Sequence, residues 1–385
     1  MKPISVYVHI PFCTVKCGYC DFNAYAGLDG LKDEYGRALV REVELCEPLL
    51  RGRALISVAF GGGTPSEVPV AHIAGVLEAV RTRGEVHAGA EVSLEANPAT
   101  SDGGHLQALC EAGVTRVTFG VQSFDAGELR FLDRLHSPAA AAASIANARR
   151  AGFQSVGLDL IYGLPGQTMQ AWERSLACAT GLRPDHISTY ALTVEEGTPL
   201  GRRVRTGEVL PLDGDGSADM YERATEILEV EGYEQYELSN FARPLHTSRH
   251  NSVYWTDGDY LAIGAGAHGY VDGERYENAA HPRVYIDRIQ GASDDATRPA
   301  LASAYRPDAA TAMFDWVTLR LRLIDGFAAS EFEQRFGAEL GSVFGKPLRA
   351  AEAAGVIELA PVVRLTRRGR QLHGELAAQL LAHIS

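Results

Sequence analysis

The sequence predicts an α/β fold: a parallel sheet of six βα units, then a smaller α-rich domain with a winged-helix-like pattern. Three observations lead there. Short apolar runs alternate with helical patterns six times before residue 195. Strands separated by helices pair in parallel through right-handed crossovers. Beyond residue 195 the alternation stops, and residues 309–382 read as helices around one short extended pair.

The elements follow in order. Residues 4–10 read as the first strand and 31–50 as a helix, with Leu39, Val43 and Leu50 apolar and charges between them. Strand 55–60 precedes helix 71–83, and strand 92–95 precedes helix 105–112, which Gly113 closes as a C′ residue. Strand 116–121 leads to a helix from Asp125 and another over 137–150, where Ser137 and Pro138 form an N-cap followed by proline at N1. Strand 156–161, helix 169–180 and strand 186–192 finish the six units. A helix is expected over 218–231, an extended segment over 233–238 and a polar linker over 293–306. Helices over 309–323 and 342–354, an extended pair over 356–365 broken by Pro361, and a helix over 367–382 make the last domain.

Active sites of α/β barrels lie at the carboxyl ends of the strands. Each strand here ends in polar or glycine-rich residues: Cys13 after the first, Gly61, Gly62, Gly63 and Thr64 after the second, Glu95 and Asn97 after the third, Gln122 after the fourth. The fifth carries Asp159 and runs into Tyr162 and Gly163, and the sixth ends near Tyr190.

The first of these ends organises the rest. Cys13, Cys17 and Cys20 stand at C-x3-C-x2-C spacing in one loop. A structural zinc site usually takes four ligands in paired C-x2-4-C arrangements. An iron–sulfur cluster usually takes four thiolates, so three in one loop suggest a cluster with one open iron. Zinc completed by His9 or a distant residue, and no metal at all, stand behind it in that order. Cys46, Cys110 and Cys178 are scattered and read as small buried hydrophobes rather than a disulfide framework.

Bulk numbers narrow the class. The chain has 385 residues, 46% hydrophobic and 22% charged, with a net charge of −13 that gives a nucleic-acid partner no electrostatic support. No run approaches a membrane span or a signal h-region, so a cytoplasmic protein is expected.

The glycine run is not a P-loop, because no Lys-Ser or Lys-Thr follows it. It lets a ligand approach the backbone. Glu95 and Asp159 could bind hydroxyl or amino groups. Asp159 lies in an apolar run, where an unpartnered acid is costly. His250, with Asn251, Tyr254 and Trp255, could face a heme; residue chemistry alone favours a histidine hydrogen-bonded in an aromatic core patch.

Tyr7, His9 and the three cysteines, with residues 61–65, the Glu95 strand, Gln122 and residues 159–167, resemble the radical S-adenosylmethionine superfamily. More narrowly, they resemble the branch holding oxygen-independent coproporphyrinogen III dehydrogenase and the HemW-type heme chaperones. The resemblance implies a partial (β/α)6 barrel over 1–240, a connecting segment over 241–300 and a winged-helix-like domain over 301–385. It implies that Cys13, Cys17 and Cys20 hold a [4Fe-4S] cluster, and that Tyr7, Tyr19, Gly62, Gly63, Thr64 and Glu95 contact S-adenosylmethionine. Gln122, Arg134, Asp159 and Ala191 match positions that contact a second cofactor molecule in the dehydrogenase. Three features separate the relatives. The dehydrogenase has a further cysteine where this chain has Phe22, and a long N-terminal extension where only twelve residues precede Cys13 here. The chaperones carry the signature seen at His250, Asn251, Tyr254 and Trp255. The implied function is a heme chaperone delivering heme to acceptor hemoproteins, membrane respiratory proteins among them, with an electron donor if the cluster is reduced and peripheral membrane contact if the acceptor requires it. The alternative is oxidative decarboxylation of coproporphyrinogen III.

Overall fold

A computed structural model describes residues 2–384. β1 (Pro3–Ile10) leads through the cysteine loop to α1 (Lys32–Leu45) and α2 (Glu47–Leu50). Then follow β2 (Ala54–Gly62), α3 (Val70–Arg83), β3 (Glu85–Ala96), α4 (Gly103–Glu111), β4 (Arg116–Gln122), α5 (Ala126–Phe131) and α6 (Pro138–Ala151). β5 (Ser155–Tyr162), α7 (Met169–Gly181) and β6 (His186–Ala191) complete the expected alternation. Strands β1 to β6 pair in sequence order, all parallel.

Local chemistry explains the boundaries. The Ser137 hydroxyl accepts from Ala140 N–H, Pro138 fills the first turn of α6, and Gly152 closes it with φ of 90°. Strands β1 and β5 are buried along most of their length, as parallel strands covered on both faces should be.

The sheet is wider than the sequence suggests. After α8 (Pro199–Arg205) and α9 (Gly214–Val230), β7 (Glu234–Glu237) and β8 (Asn240–Ala242) add an antiparallel pair beyond β6. After α10 (Arg249–Trp255), β9 (Tyr260–Ile263) pairs parallel to β1, and β10 (His268–Val271) and β11 (Glu274–Asn278) continue antiparallel from it. Following α11 (Pro282–Gln290), β12 (Leu301–Tyr305) is the last strand on that side. The stretch expected as a linker over 293–306 thus contains a strand, because its small residues pair along β11. The result is an open twelve-stranded sheet with edges β12 and β7. Residues 241–300 supply strands to it, and one hydrophobic core runs from Ile4 through to Ala300.

A second core gathers Trp316, Phe332, Phe344 and Leu380 from α12 (Ala309–Arg320), α13 (Ala329–Phe336), α14 (Leu340–Ala353) and α16 (His373–Ile384), with Phe327 from the segment before α13. β13 (Ile357–Glu358) and β14 (Arg364–Leu365) form the expected short antiparallel wing, followed by α15 (Arg367–Gln371). α13 was not visible in sequence: eight residues with Phe332 and Phe336 as its only aromatics are too short to show a period.

Candidate functional site

A cavity of about 510 Å³ opens at the carboxyl ends of the six parallel strands. Cys13, Cys17 and Cys20 all line it, as do Tyr19, Gly62, Gly63, Thr64, Glu95, Gln122, Arg134, Asp159 and Ala191. Strand ends far apart in sequence therefore converge on one place, as the pleat and parallel register demand.

The cysteine loop is held from several sides. Thr64 Oγ1 donates to Cys13 Sγ at 3.4 Å, Arg134 Nη1 approaches Cys17 Sγ at 3.7 Å, and Gly18 N–H donates to the Asp133 carboxylate at 3.0 Å. All three thiols are free of disulfides. Burial pushes the Cys13 thiol up to about 11, partly opposed by the Thr64 hydrogen bond. Among the described residues no three His, Cys, Asp or Glu side chains converge as a single metal ion needs. The three free thiols and the cavity they line fit a cluster held by three thiolates with one open iron. His9 is also committed: its Nδ1 lies 3.0 Å from Tyr7 OH and its Nε2 2.9 Å from the Asn23 carbonyl.

The glycines beside the loop have no room for side chains. A Cβ on Gly62, where φ is 113°, would stand 2.5 Å from the His9 ring, and one on Gly63 would meet the Phe12 carbonyl at 2.7 Å. Their backbone faces the cavity, which fits close approach by a cofactor. Glu95 is deep in the barrel yet open to the cavity, and its carboxylate accepts Gly62 N–H at 3.3 Å. Enclosure, then the negative charge of Asp159, raises the Glu95 carboxyl to about 7. Enclosure likewise raises Asp159 to about 6, opposed by a Ser188 hydrogen bond and the charge of Arg134. Gln122 sits at a register shift between β4 and β5 with φ of 67°, a conformation costly for a non-glycine residue. Arg134 donates to the Gly120 carbonyl at 2.5 Å. Tyr19 is held protonated by burial, against the pull of Arg134.

Tyr7 and the signature residues lie one layer deeper. A separate cavity of about 270 Å³ is lined by Tyr7, Glu95, Asp159, His250, Asn251 and Tyr254 among others. Glu95 and Asp159 therefore form a floor shared by both spaces. His250 is 1% exposed, with Nδ1 2.8 Å from Ser57 Oγ and Nε2 2.8 Å from Tyr254 OH. Burial lowers its imidazole to about 3, so it is neutral. Both ring nitrogens are thus hydrogen-bonded within the barrel interior. Trp255 points elsewhere: the Arg322 guanidinium covers its ring at 4.2 Å.

Several lining residues escaped the sequence, including Val15, Lys16 and Glu195. Asn23 was missed too, although its Nδ2 ties the cysteine loop to the carbonyls of Ala265 and Ala280 at 3.0 and 2.9 Å. Only the segment after Cys20 carried a signal, through its nearness to the motif.

Comparison with known proteins agrees with this geometry. The radical SAM superfamily model matches residues 7–179, and the HemN C-terminal domain model matches residues 308–372. The chain is 39% identical over 384 residues to heme chaperone HemW of Mycobacterium tuberculosis, covering 99% of this chain and 95% of that one. It is 35% identical over 390 residues to heme chaperone HemW of Escherichia coli, covering 99% of each. Coproporphyrinogen III oxidase (HemN) from Escherichia coli, a radical SAM enzyme, shares the fold with a TM-score of 0.85 at 24% identity, over 98% of this chain and 90% of that one. Motif, cavity and full-length likeness together place the chain in the radical SAM superfamily and, within it, in the family of the heme chaperone HemW.

Proposed function

We propose that this chain is a heme chaperone: it takes up heme and passes it to acceptor hemoproteins. The observation that carries the proposal is the end-to-end likeness to heme chaperones at 33–39% identity. The structural likeness to the coproporphyrinogen oxidase stands at 24% identity and concerns the fold alone.

Cys13, Cys17 and Cys20 would hold the [4Fe-4S] cluster, with S-adenosylmethionine beside it. Bound there, the pair supplies one-electron chemistry. Around them the protein positions and screens: the backbone of Gly62, Gly63 and Thr64 forms a cradle, and Glu95 presents a carboxyl to hydroxyl or amino groups. Tyr19 lines the cavity with the cysteine loop, and Tyr7 lines the deeper cavity with Glu95. Gln122, Arg134, Asp159 and Ala191 extend the same wall and could serve a second cofactor molecule. The partners are heme, acceptor hemoproteins that include membrane respiratory proteins, and an electron donor when the cluster is reduced. Among the described residues no helix is long and apolar enough to cross a membrane, so contact with a membrane acceptor would be peripheral.

The test divides one anaerobic, cluster-reconstituted preparation between heme titration followed by absorbance and a coproporphyrinogen III turnover assay. Saturable heme binding without turnover is expected. Turnover without heme binding would replace the proposal with the oxidase activity.

A further inference from the structure

A row of polar side chains crosses the barrel interior next to the smaller cavity. Ser5 on β1 stands in register with Ser57 on β2, and Ser57 with Glu91 on β3. Each lies two residues before a residue that lines that cavity, Tyr7, Ala59 and Ser93, so side-chain alternation puts all three on the same inner face. The ladder shifts register immediately before the row, between Ile4 and Ser5 and between Leu55 and Ser57. Such irregularities re-aim side chains. Both serines are 0% exposed and Glu91 is 8% exposed. Buried polar groups are costly unless bonded, so the partners of this row show what it holds.

Those partners converge on His250. Ser57 Oγ lies 2.7 Å from Ser5 Oγ and 2.8 Å from His250 Nδ1. The Glu91 carboxylate accepts the His250 backbone N–H at 3.1 Å, and the Arg249 N–H and Ser248 hydroxyl at 3.3 Å each. Arg116 on β4 balances that carboxylate at 2.9 Å and donates to the carbonyls of His246 and Thr247 at 2.8 and 3.1 Å. The row therefore fixes His250 at two points, ring and backbone. Nδ1 is pinned to the strands, whereas Nε2 meets the Tyr254 hydroxyl of its own helix at 2.8 Å. A histidine that serves a metal through one ring nitrogen is ordinarily held through the other.

We infer that Ser57 and Glu91 are positioning residues for His250: they set the direction of its ring and the seat of α10, and heme binding depends on them through His250. The inference rests on the heme-chaperone proposal, with the signature at His250 as part of its heme site.

The test is heme titration of the full chain with its cluster reconstituted, read both as affinity and as the position of the heme Soret band. Ser57→Ala, which removes one oxygen, and Glu91→Gln, which removes the charge, should each weaken heme binding by about tenfold or more and move the Soret band, at unchanged iron and sulfide content. Tyr233→Phe removes a buried hydroxyl that donates to the Pro184 carbonyl at 2.7 Å, outside this row, and should leave both readouts as in the unaltered chain. Unchanged affinity and Soret band in Ser57→Ala would overturn the inference, as would unchanged heme binding in His250→Ala; either result leaves the chaperone proposal standing. Equal losses in Ser57→Ala and Tyr233→Phe would reduce the row to a general stabiliser and overturn the inference too. If the unaltered chain bound no heme, both would fall.

Discussion

The guanidinium of Arg322 stacks on the indole of Trp255 at 4.2 Å, joining the segment after α12 to the end of α10. The same guanidinium reaches the fully buried carboxylate of Glu237 at 2.9 Å. Breaking a buried pair by removing one partner costs about 3–5 kcal/mol, because the other charge is stranded. Arg322→Ala should therefore lower the thermal midpoint strongly. Arg367→Ala, which removes exposed pairs to Glu222 and Glu229, should cost under about 1 kcal/mol. Equal midpoints for the two variants in a calorimetric scan would refute the clamp.

The cysteine loop predicts a clean division among five of the six thiols. Cys13→Ala, Cys17→Ala and Cys20→Ala should each abolish iron and sulfide incorporation on anaerobic reconstitution. Cys110→Ala and Cys178→Ala, outside the cavity, should incorporate both normally. Iron and sulfide analysis of the purified proteins decides the matter.

Gly62→Ala should damage the cradle without touching a thiol. The added methyl would meet the His9 ring at 2.5 Å, at a φ of 113° that alanine rarely adopts. S-adenosylmethionine affinity should fall by at least tenfold in calorimetric titration while iron content is retained. Affinity equal to the unaltered chain would show that this backbone does not approach the cofactor.

Gln122 pays for its place with backbone strain at φ of 67°. Gln122→Gly should relieve it and raise stability by roughly 1 kcal/mol. Cofactor affinity should fall in the same variant, because the side chain lining the cavity is gone. A denaturant titration showing lower stability would contradict the strain.

Glu42 on α1 predicts a pH dependence. Its carboxylate accepts from Gly264 N–H, Asn278 Nδ2 and Tyr285 OH, yet burial raises it to about 7 from an ordinary 4.5. The native state thus keeps a proton that the unfolded chain loses, and stability contributed by this group falls as pH rises from about 4.5 to about 7. Glu42→Gln should flatten the fall across that window. Glu42→Ala should cost about 3 kcal/mol or more at any pH, since it strands several buried donors. Thermal unfolding at a series of pH values would expose a wrong sign.

Much of the barrel was legible because it is built from local signals. Apolar periodicity marked all six parallel strands, Ser137 and Pro138 marked the start of α6, and most of the strand-end residues were polar for a shared reason: they face one cavity. The flanking strands were not legible. β9 pairs with β1 across some 250 residues of chain, and β12 looked like a linker because its residues are small and mostly exposed. Neither propensity nor period encodes such pairing.

The sequence by itself determined the chemistry the protein can host: three thiols in one loop, glycines where a cofactor approaches, acids at strand ends. Tertiary structure alone decided where that chemistry faces. His250 and Phe22 both looked informative in sequence, yet the first is folded inward with its nitrogens satisfied and the second stands at an open mouth. The reason is physical. A side chain's availability depends on its neighbours in space, and Ser57 and Tyr254 close around His250 while the described neighbours of Phe22 leave its ring to the solvent.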